Sequence, residues 1–309
     1  MAFITLPYGR EKISMELPDG RLHAILRSEA HNFHPMSSET ELVRQALEHP
    51  IDSPRLYELA KNKRKIVIIS SDHTRPVPSK IILPEMIREI RNGNPQAEIT
   101  VLIATGFHRP TTEEEMIDKY GEELYRCSNI NFVVHESGND EQMICLGTLP
   151  SGGTLRVNRL AAEADLLVAE GFIEPHFFAG FSGGRKSVLP GVSSRATVLA
   201  NHCSAFIDSP YARAGILDGN PIHKDMLYAA QAAGLAFICN VVIDGDKKVI
   251  AAFAGHFDRA HRAGCTFVEK LSAVNAEPSP IVISTNGGYP LDQNIYQSVK
   301  GMTAAEATC

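Results

Sequence analysis

At 309 residues the chain carries an expectation of about two domains and has length enough to bury a core without disulfide or metal staples. Hydrophobic residues make up 44% and charged residues 21%, which excludes wholesale disorder. Thirty basic against 36 acidic residues leave a formal net charge of −6, which argues against a nucleic-acid binder and against an electrostatic membrane anchor.

No run approaches 18 uninterrupted apolar residues, and the start (Met1 to Pro7) lacks the charged and apolar regions of a signal peptide. Cysteines stand at 127, 145, 203, 239, 265 and 309, none in a Cys-x-x-Cys pair. They read as reduced thiols of a cytoplasmic protein.

In chain order, the spacing first predicts an N-terminal β-hairpin, with strands 12–17 and 22–26 about a Pro18-Asp19-Gly20 turn. A helix is expected from Ser38, where Glu41 completes a capping box, and a short one after Ser53, with Pro54 at its first position. From residue 64 the pattern changes. Runs 65–70, 99–104, 130–134 and 165–169 are rich in β-branched residues and apolar on both faces, and helical spacing separates them. That alternation predicts an α/β domain with a mainly parallel sheet and flanking helices.

Further on, Asn220-Pro221 opens a helix, and strands 237–243 and 248–253 form a second hairpin about Asp244-Gly245. A helix over about 256–272 leads to a last buried strand at 280–284. Proline and small polar residues near 273–280 mark a boundary. The expected organisation is therefore an N-terminal α/β cofactor-binding and catalytic domain over 1–274 and the beginning of a C-terminal α/β domain over 275–309. About 35 residues make no independent core, so on this reading the chain is truncated or its last segment packs onto the first domain.

Ligands of open parallel sheets bind beyond the carboxyl ends of the strands, so the loops after the apolar runs carry the chemistry. They read Asp72-His73-Thr74-Arg75-Pro76, Thr105-Gly106-Phe107-His108-Arg109, Glu170 to His176, and Thr285 to Tyr289. The stretch from His176 to Ser187 adds glycines at 180, 183 and 184, which admit close backbone approach to a ligand. Arg185 and Lys186 offer it charge for a phosphate or carboxylate. A phosphate-binding P-loop would need glycine before Lys186, and Arg185 stands there, so a kinase or ATPase reading rests on a near miss. His202, near the end of a helix begun by Ser194, is a ligand candidate for nickel, zinc, copper or iron. His108 and His176 lie just past strand ends, and two imidazoles on opposite sides of a substrate would suit proton transfer at both faces. Phe177, Phe178 and Tyr296 offer apolar walls. The remaining histidines read as solvated or structural.

These loops, together with Ala200-Asn201-His202 and Tyr296-Gln297-Ser298-Val299-Lys300-Gly301, resemble in order and spacing the nickel-dependent lactate racemase family over about residues 65–305. The resemblance implies a racemase or epimerase that inverts C2 of a 2-hydroxy acid, lactate first, by reversible hydride transfer. Its cofactor would be nickel held in pyridinium-3,5-bisthiocarboxylic acid mononucleotide, the nickel-pincer nucleotide. It implies Lys186 as the covalent attachment residue, His202 as the metal ligand, and Asp72, His73, Thr74 and Arg75 as the cofactor-holding loop. His108 and His176 would be the catalytic acid/base pair, and Arg75, Gln297 and Lys300 would bind the substrate carboxylate. The implied partners are the small-molecule substrate and the proteins that build the cofactor. Family members run well past residue 309, so the alternative is a truncated, non-catalytic nucleotide- or metal-binding homologue.

Overall fold

The computed structural model describes the backbone of residues 1–309 and every side chain but that of Tyr296, whose expected role as an apolar wall lies outside the described residues. Strands β1 (Ala2–Tyr8) and β2 (Glu11–Leu17) pair antiparallel, with Ala2 opposite Leu17 and Tyr8 opposite Glu11. The hairpin thus closes at Gly9-Arg10, not at Pro18-Asp19-Gly20. Gly9 takes φ +57°, the left-handed value that suits a two-residue hairpin turn. Residues 18–22 instead close two successive i→i+3 bonds, Arg21 N–H to Pro18 O and Leu22 N–H to Asp19 O, and residues 22–26 form no strand. That tight helical turn splays the chain rather than returning it. Pro54 likewise falls outside its helix, which runs Leu56–Ala60 with Arg55 as N-cap.

The central sheet combines β3 (Lys65–Ser71), β4 (Glu98–Ala104), β5 (Ile130–Val134), β8 (Leu166–Phe172), β11 (Leu235–Ile243) and β12 (Val249–Gly255). The intervening short strands are β6 (Met143–Thr148), β7 (Thr154–Asn158), β9 (Pro175–His176) and β10 (Gly180–Phe181), outside the central sheet. The order is β12-β11-β8-β3-β4-β5, parallel except for β12. Helices cover both faces, which explains the two-sided apolarity of the runs. In β3, Ile66 and Ile68 enter the core shared with Ile82, Met86 and Ile90, while Val67 and Ile69 enter the opposite core with Val188 and Leu189. Each such buried side chain contributes about 1.5–3 kcal/mol relative to exposure. From β3 the chain winds to β4 and β5 on one side, then crosses to β8 and β11 on the other. The crevice of the sheet therefore lies at the carboxyl ends of β3 and β8.

The β6–β7 hairpin, which the spacing does not reveal, braces the chain leading to His202. Asn158 N–H bonds Val192 O at 2.8 Å, Ser194 N–H bonds Arg156 O at 2.8 Å, and Arg156 N–H bonds Thr197 Oγ1 at 3.0 Å.

No strand forms at 280–284; Ile281 is 82% exposed and Ile283 50%. A run apolar on both faces becomes a buried strand only where sheet neighbours take its backbone bonds, and among the described residues none lies beside it. Residues 285–292 lie on the N-terminal hairpin instead. Thr285 Oγ1 donates to Pro7 O at 2.8 Å, Tyr289 N–H to Gly9 O at 2.8 Å, and Gly9 N–H to Asp292 Oδ2 at 2.7 Å. Helix Ile295–Glu306, capped by Asn294, then brings Gln297 and Lys300 to the crevice.

Candidate active site

The loops after β3, β4 and β8 and the helix Ile295–Glu306 enclose one cleft, lined by Asp72, Arg75, His108, His176, Lys186, His202, Gln297 and Lys300. The fold therefore brings together eight of the ten residues singled out in the sequence. Thr74 stands behind Asp72. His73 is turned away, its Nδ1 3.2 Å from Thr111 Oγ1 and 3.7 Å from Glu115, so that it braces the turn from outside.

On the β3–β4 side, Asp72 is 1% exposed and its carboxylate organises the loop. Oδ1 accepts from Thr74 N–H at 3.1 Å and Thr74 Oγ1 at 2.6 Å, and Oδ2 lies 2.6 Å from His108 Nδ1. Burial alone would raise the Asp72 carboxyl; the His108 hydrogen bond and charge, with Arg75, outweigh it and hold the group at about 2. Asp72 is thus ionised, His108 Nδ1 is the donor, and in the neutral ring the lone pair sits on Nε2. Arg75 Nη1 donates to Gln297 Oε1 at 3.4 Å, which fixes the amide so that Gln297 Nε2 points at His108 Nε2, 3.4 Å away. Lys300 Nζ is buried and, among the described residues, donates to no acceptor. Burial, then Arg75, lower its ammonium to about 8 against the opposing pull of Glu174 and Asp72.

The β8 side is built differently. His176 Nδ1 accepts from Ala179 N–H at 3.3 Å, so the neutral ring carries its proton on Nε2, which lies 3.3 Å from Lys186 Nζ. The amine lone pair accepts that proton donor. Burial first, and then the surrounding cations, push both His176 and Lys186 well below their ordinary values, which favours the uncharged form of each. Burial, with a smaller push from Lys186, lowers His202 to about 3, and its Nδ1 is buried without a partner. Phe178 binds the three into one wall, with its ring 4.7 Å from His176, 5.0 Å from His202 and 5.7 Å from Lys186 Nζ.

Arg185 does not face the cleft, contrary to the expectation that it adds charge for a ligand there; its side chain is buried behind the glycine loop. The fully buried Glu170 was also missed in the sequence as a wall of the cleft. It sits at the end of β8, where Ser79 Oγ donates to Oε1 at 2.5 Å and Ser70 Oγ donates to the same oxygen. Only strand pairing shows that it points into the crevice, since a lone glutamate in an apolar run gives no such signal.

A sheet crevice that gathers an ionised Asp–His pair, a neutral lysine and an unpartnered imidazole defines an enzyme site built for proton transfer around a bound organic group. The profile of the lactate racemase N-terminal domain matches residues 8–215, and that of the lactate racemase C-terminal domain matches residues 274–309. The lactate racemase of Thermoanaerobacterium thermosaccharolyticum is 61% identical over 309 residues, and that of Lactiplantibacillus plantarum 57% over 308. Each alignment takes in 100% of this chain and 72% of the relative. The solved apoprotein structure of the T. thermosaccharolyticum lactate racemase superimposes with a TM-score of 0.93, covering 100% of this chain and 72% of that one. A Thermotoga maritima protein, 25% identical, superimposes with a TM-score of 0.63 over 78% of this chain and 60% of its own. The chain belongs to the lactate racemase family and is an isomerase of the racemase class.

Proposed function

We propose that this chain interconverts the enantiomers of lactate, with His108 and His176 as alternating acid and base. The observation that carries the reading is that one cleft holds both imidazoles with Nδ1 of each engaged by its own wall, by Asp72 for His108 and by Ala179 N–H for His176. They stand past β4 and β8, which flank β3 on either side.

The cleft fits the nickel-pincer nucleotide by the chemistry of its donors. His202 offers a buried imidazole with an unpartnered Nδ1, Lys186 offers an uncharged amine for covalent attachment, and Lys300 offers an unpartnered buried ammonium. Among the described residues no three His, Cys, Asp or Glu side chains form a metal-binding cluster, so the metal would be held by His202 together with an organic scaffold. When bound, that group supplies a hydride acceptor and donor for the substrate Cα.

The chain's own residues do the rest. Arg75, Gln297 and Lys300 clamp the carboxylate, and the loop of Asp72, Thr74 and Arg75, braced by His73, holds the cofactor side of the cleft. His108 Nε2 takes the hydroxyl proton, and the ionised Asp72 stabilises the imidazolium that results. On the other wall His176 returns a proton from Nε2 to the same oxygen when its ring is an imidazolium, so that loss of the proton leaves the neutral ring. Phe177 and Phe178 exclude water from that wall. Residues 275–309, including Gln297 and Lys300 of the carboxylate clamp, are read as the beginning of a C-terminal domain that follows the catalytic unit of residues 1–274. Six free thiols suit a reducing compartment, and we place the enzyme in the cytoplasm; no helix among the described residues is long and apolar enough to cross a membrane.

The test is denaturing intact mass, nickel content and polarimetry with D- and L-lactate, on protein co-produced with the cofactor-building enzymes. An adduct at Lys186, about one nickel per chain and racemisation in both directions are expected. A loaded enzyme that leaves both lactates unchanged would defeat the substrate assignment, and an unmodified Lys186 the attachment.

A further inference from the structure

Arg185 is 1% exposed, and its hydrogen-bond partners among the described residues are three carbonyls and the His223 imidazole, with His261 Nε2 a further 3.1 Å from Nη1; none is a carboxylate. Nε donates to His223 Nδ1 at 3.0 Å, Nη1 to Phe181 O at 2.8 Å and Gly183 O at 3.2 Å, and Nη2 to Ala179 O at 2.7 Å. Taking a guanidinium out of water without a counter-charge is costly, so its place here calls for a reason beyond filling space. The other two carbonyls of residues 179–183 are engaged as well: Gly180 O accepts from Gly215 N–H at 2.9 Å and Ser182 O from His261 Nε2 at 2.7 Å.

The same loop closes a ring of contacts between neighbours in sequence. Arg185 holds Ala179 O, Ala179 N–H holds His176 Nδ1, His176 Nε2 meets Lys186 Nζ, and Lys186 follows Arg185 along the chain. Two glycines let the backbone press this close. A Cβ at Gly183 would lie 2.7 Å from Asn240 Oδ1, and one at Gly184 2.7 Å from the His261 ring.

We propose that Arg185 is a positioning residue for Lys186 and His176: its planar fork, by gathering the carbonyls of residues 179, 181 and 183, sets the direction of the lysine amine and of the imidazole beside it. The proposal rests on the reading of Lys186 as the cofactor attachment residue. A lysine at 185 keeps the charge and much of the length but cannot make the forked set of bonds.

The experiment compares wild type with Arg185→Lys and Arg185→Met. Acetic anhydride labelling of Lys186, relative to exposed Lys61, is read by peptide mass on apoprotein; adduct formation is read by intact mass after co-production with the cofactor-building enzymes. Thermal unfolding is recorded alongside. For folded variants we expect the Lys186:Lys61 labelling ratio to change at least several-fold and adduct formation to drop by about a hundredfold, the cost of an ångström-scale misplacement. In whatever fraction loads, kcat falls and KM for lactate holds, because Arg75, Gln297 and Lys300 come from other elements. A purely structural arginine would lower the unfolding temperature and leave the ratio and the kcat-to-KM pattern alone. Wild-type labelling and loading in either folded variant would overturn the proposal. Should neither fold, His223→Gln, which weakens only the Nε bond, is expected to move the ratio in the same direction by a smaller factor, and an unchanged ratio there counts against it. Wild type that labels as expected yet takes no adduct would instead defeat the attachment reading, leaving the positioning of the amine standing.

Discussion

On the β3–β4 wall of the cleft, His108 rests against a carboxylate that stays ionised, and Asp72, Thr74, Arg75, His108 and Gln297 are each hydrogen-bonded to another of the five. On the β8 wall, His176, Lys186 and His202 gather around Phe178 with, among the described residues, no carboxylate hydrogen-bonded to any of them, and burial shifts all three toward the uncharged form. The contrast teaches how one crevice supplies opposite chemistries. An ion pair stabilises the protonated imidazole, whereas desolvation yields a nucleophilic amine and a neutral metal-ligating ring.

The comparison breaks most completely at Lys186. Lys186→Ala is expected to abolish the covalent adduct and racemisation together, and a full-mass adduct on that variant would remove the neutral wall's purpose. His202→Ala should strip nickel while the adduct persists, so metal analysis and intact mass separate the two functions of that wall. Next come the imidazoles themselves. Replacing His108 or His176 by Asn should each lower racemisation by roughly two to four powers of ten with nickel retained, and undiminished rates in both would end the two-histidine account.

Stability against pH sharpens the contrast further. On the neutral wall, and at the buried His223 held near 3 and His135 near 4, burial sets the folded value below the ordinary 6.5. The unfolded chain then binds more protons, so stability is lost as pH falls below 6.5, at roughly 1.4 kcal/mol per pH unit for each such histidine. Asp72 acts in the same sense in a lower window: with its folded value near 2 against 3.8, its contribution is complete above 3.8 and is lost as pH falls toward 2. Denaturant unfolding should therefore weaken between pH 6.5 and 4, before Asp72 titrates; a flat profile there would contradict the neutral wall. Asp72→Asn should cost about 2 kcal/mol at neutral pH, a deficit that disappears near pH 2. The smallest effect belongs to Lys300, whose ammonium titrates near 8: KM for lactate should rise above that pH, up to about tenfold per unit, and Lys300→Arg should flatten the rise.

Much of this was legible in the residues. The two-sided apolar runs announced a parallel sheet, and the His-bearing loops after three of them did converge. Ser38 caps the helix expected there, its side chain accepting from Glu41 N–H though the Glu41 side chain does not complete the box, and Asn220 caps the expected helix. The errors fell where local pattern had two readings. Pro18-Asp19-Gly20 looks like a hairpin turn but closes as a helical one, and 280–284 looks like a core strand but has no partner strand.

The sequence by itself determined the class of sheet, the loops that carry chemistry and the identity of the reactive groups, because periodicity and residue type are local properties. Only the tertiary structure decided their states. That Asp72 is a carboxylate, that Lys186 is shifted toward the amine, that His108 and His176 carry their protons on different nitrogens, and that Arg185 turns inward while Lys186 turns to the cleft all depend on burial and on partners 2 to 189 residues away. Desolvation and hydrogen-bond geometry arise from which chain segments meet, and a linear pattern does not contain them.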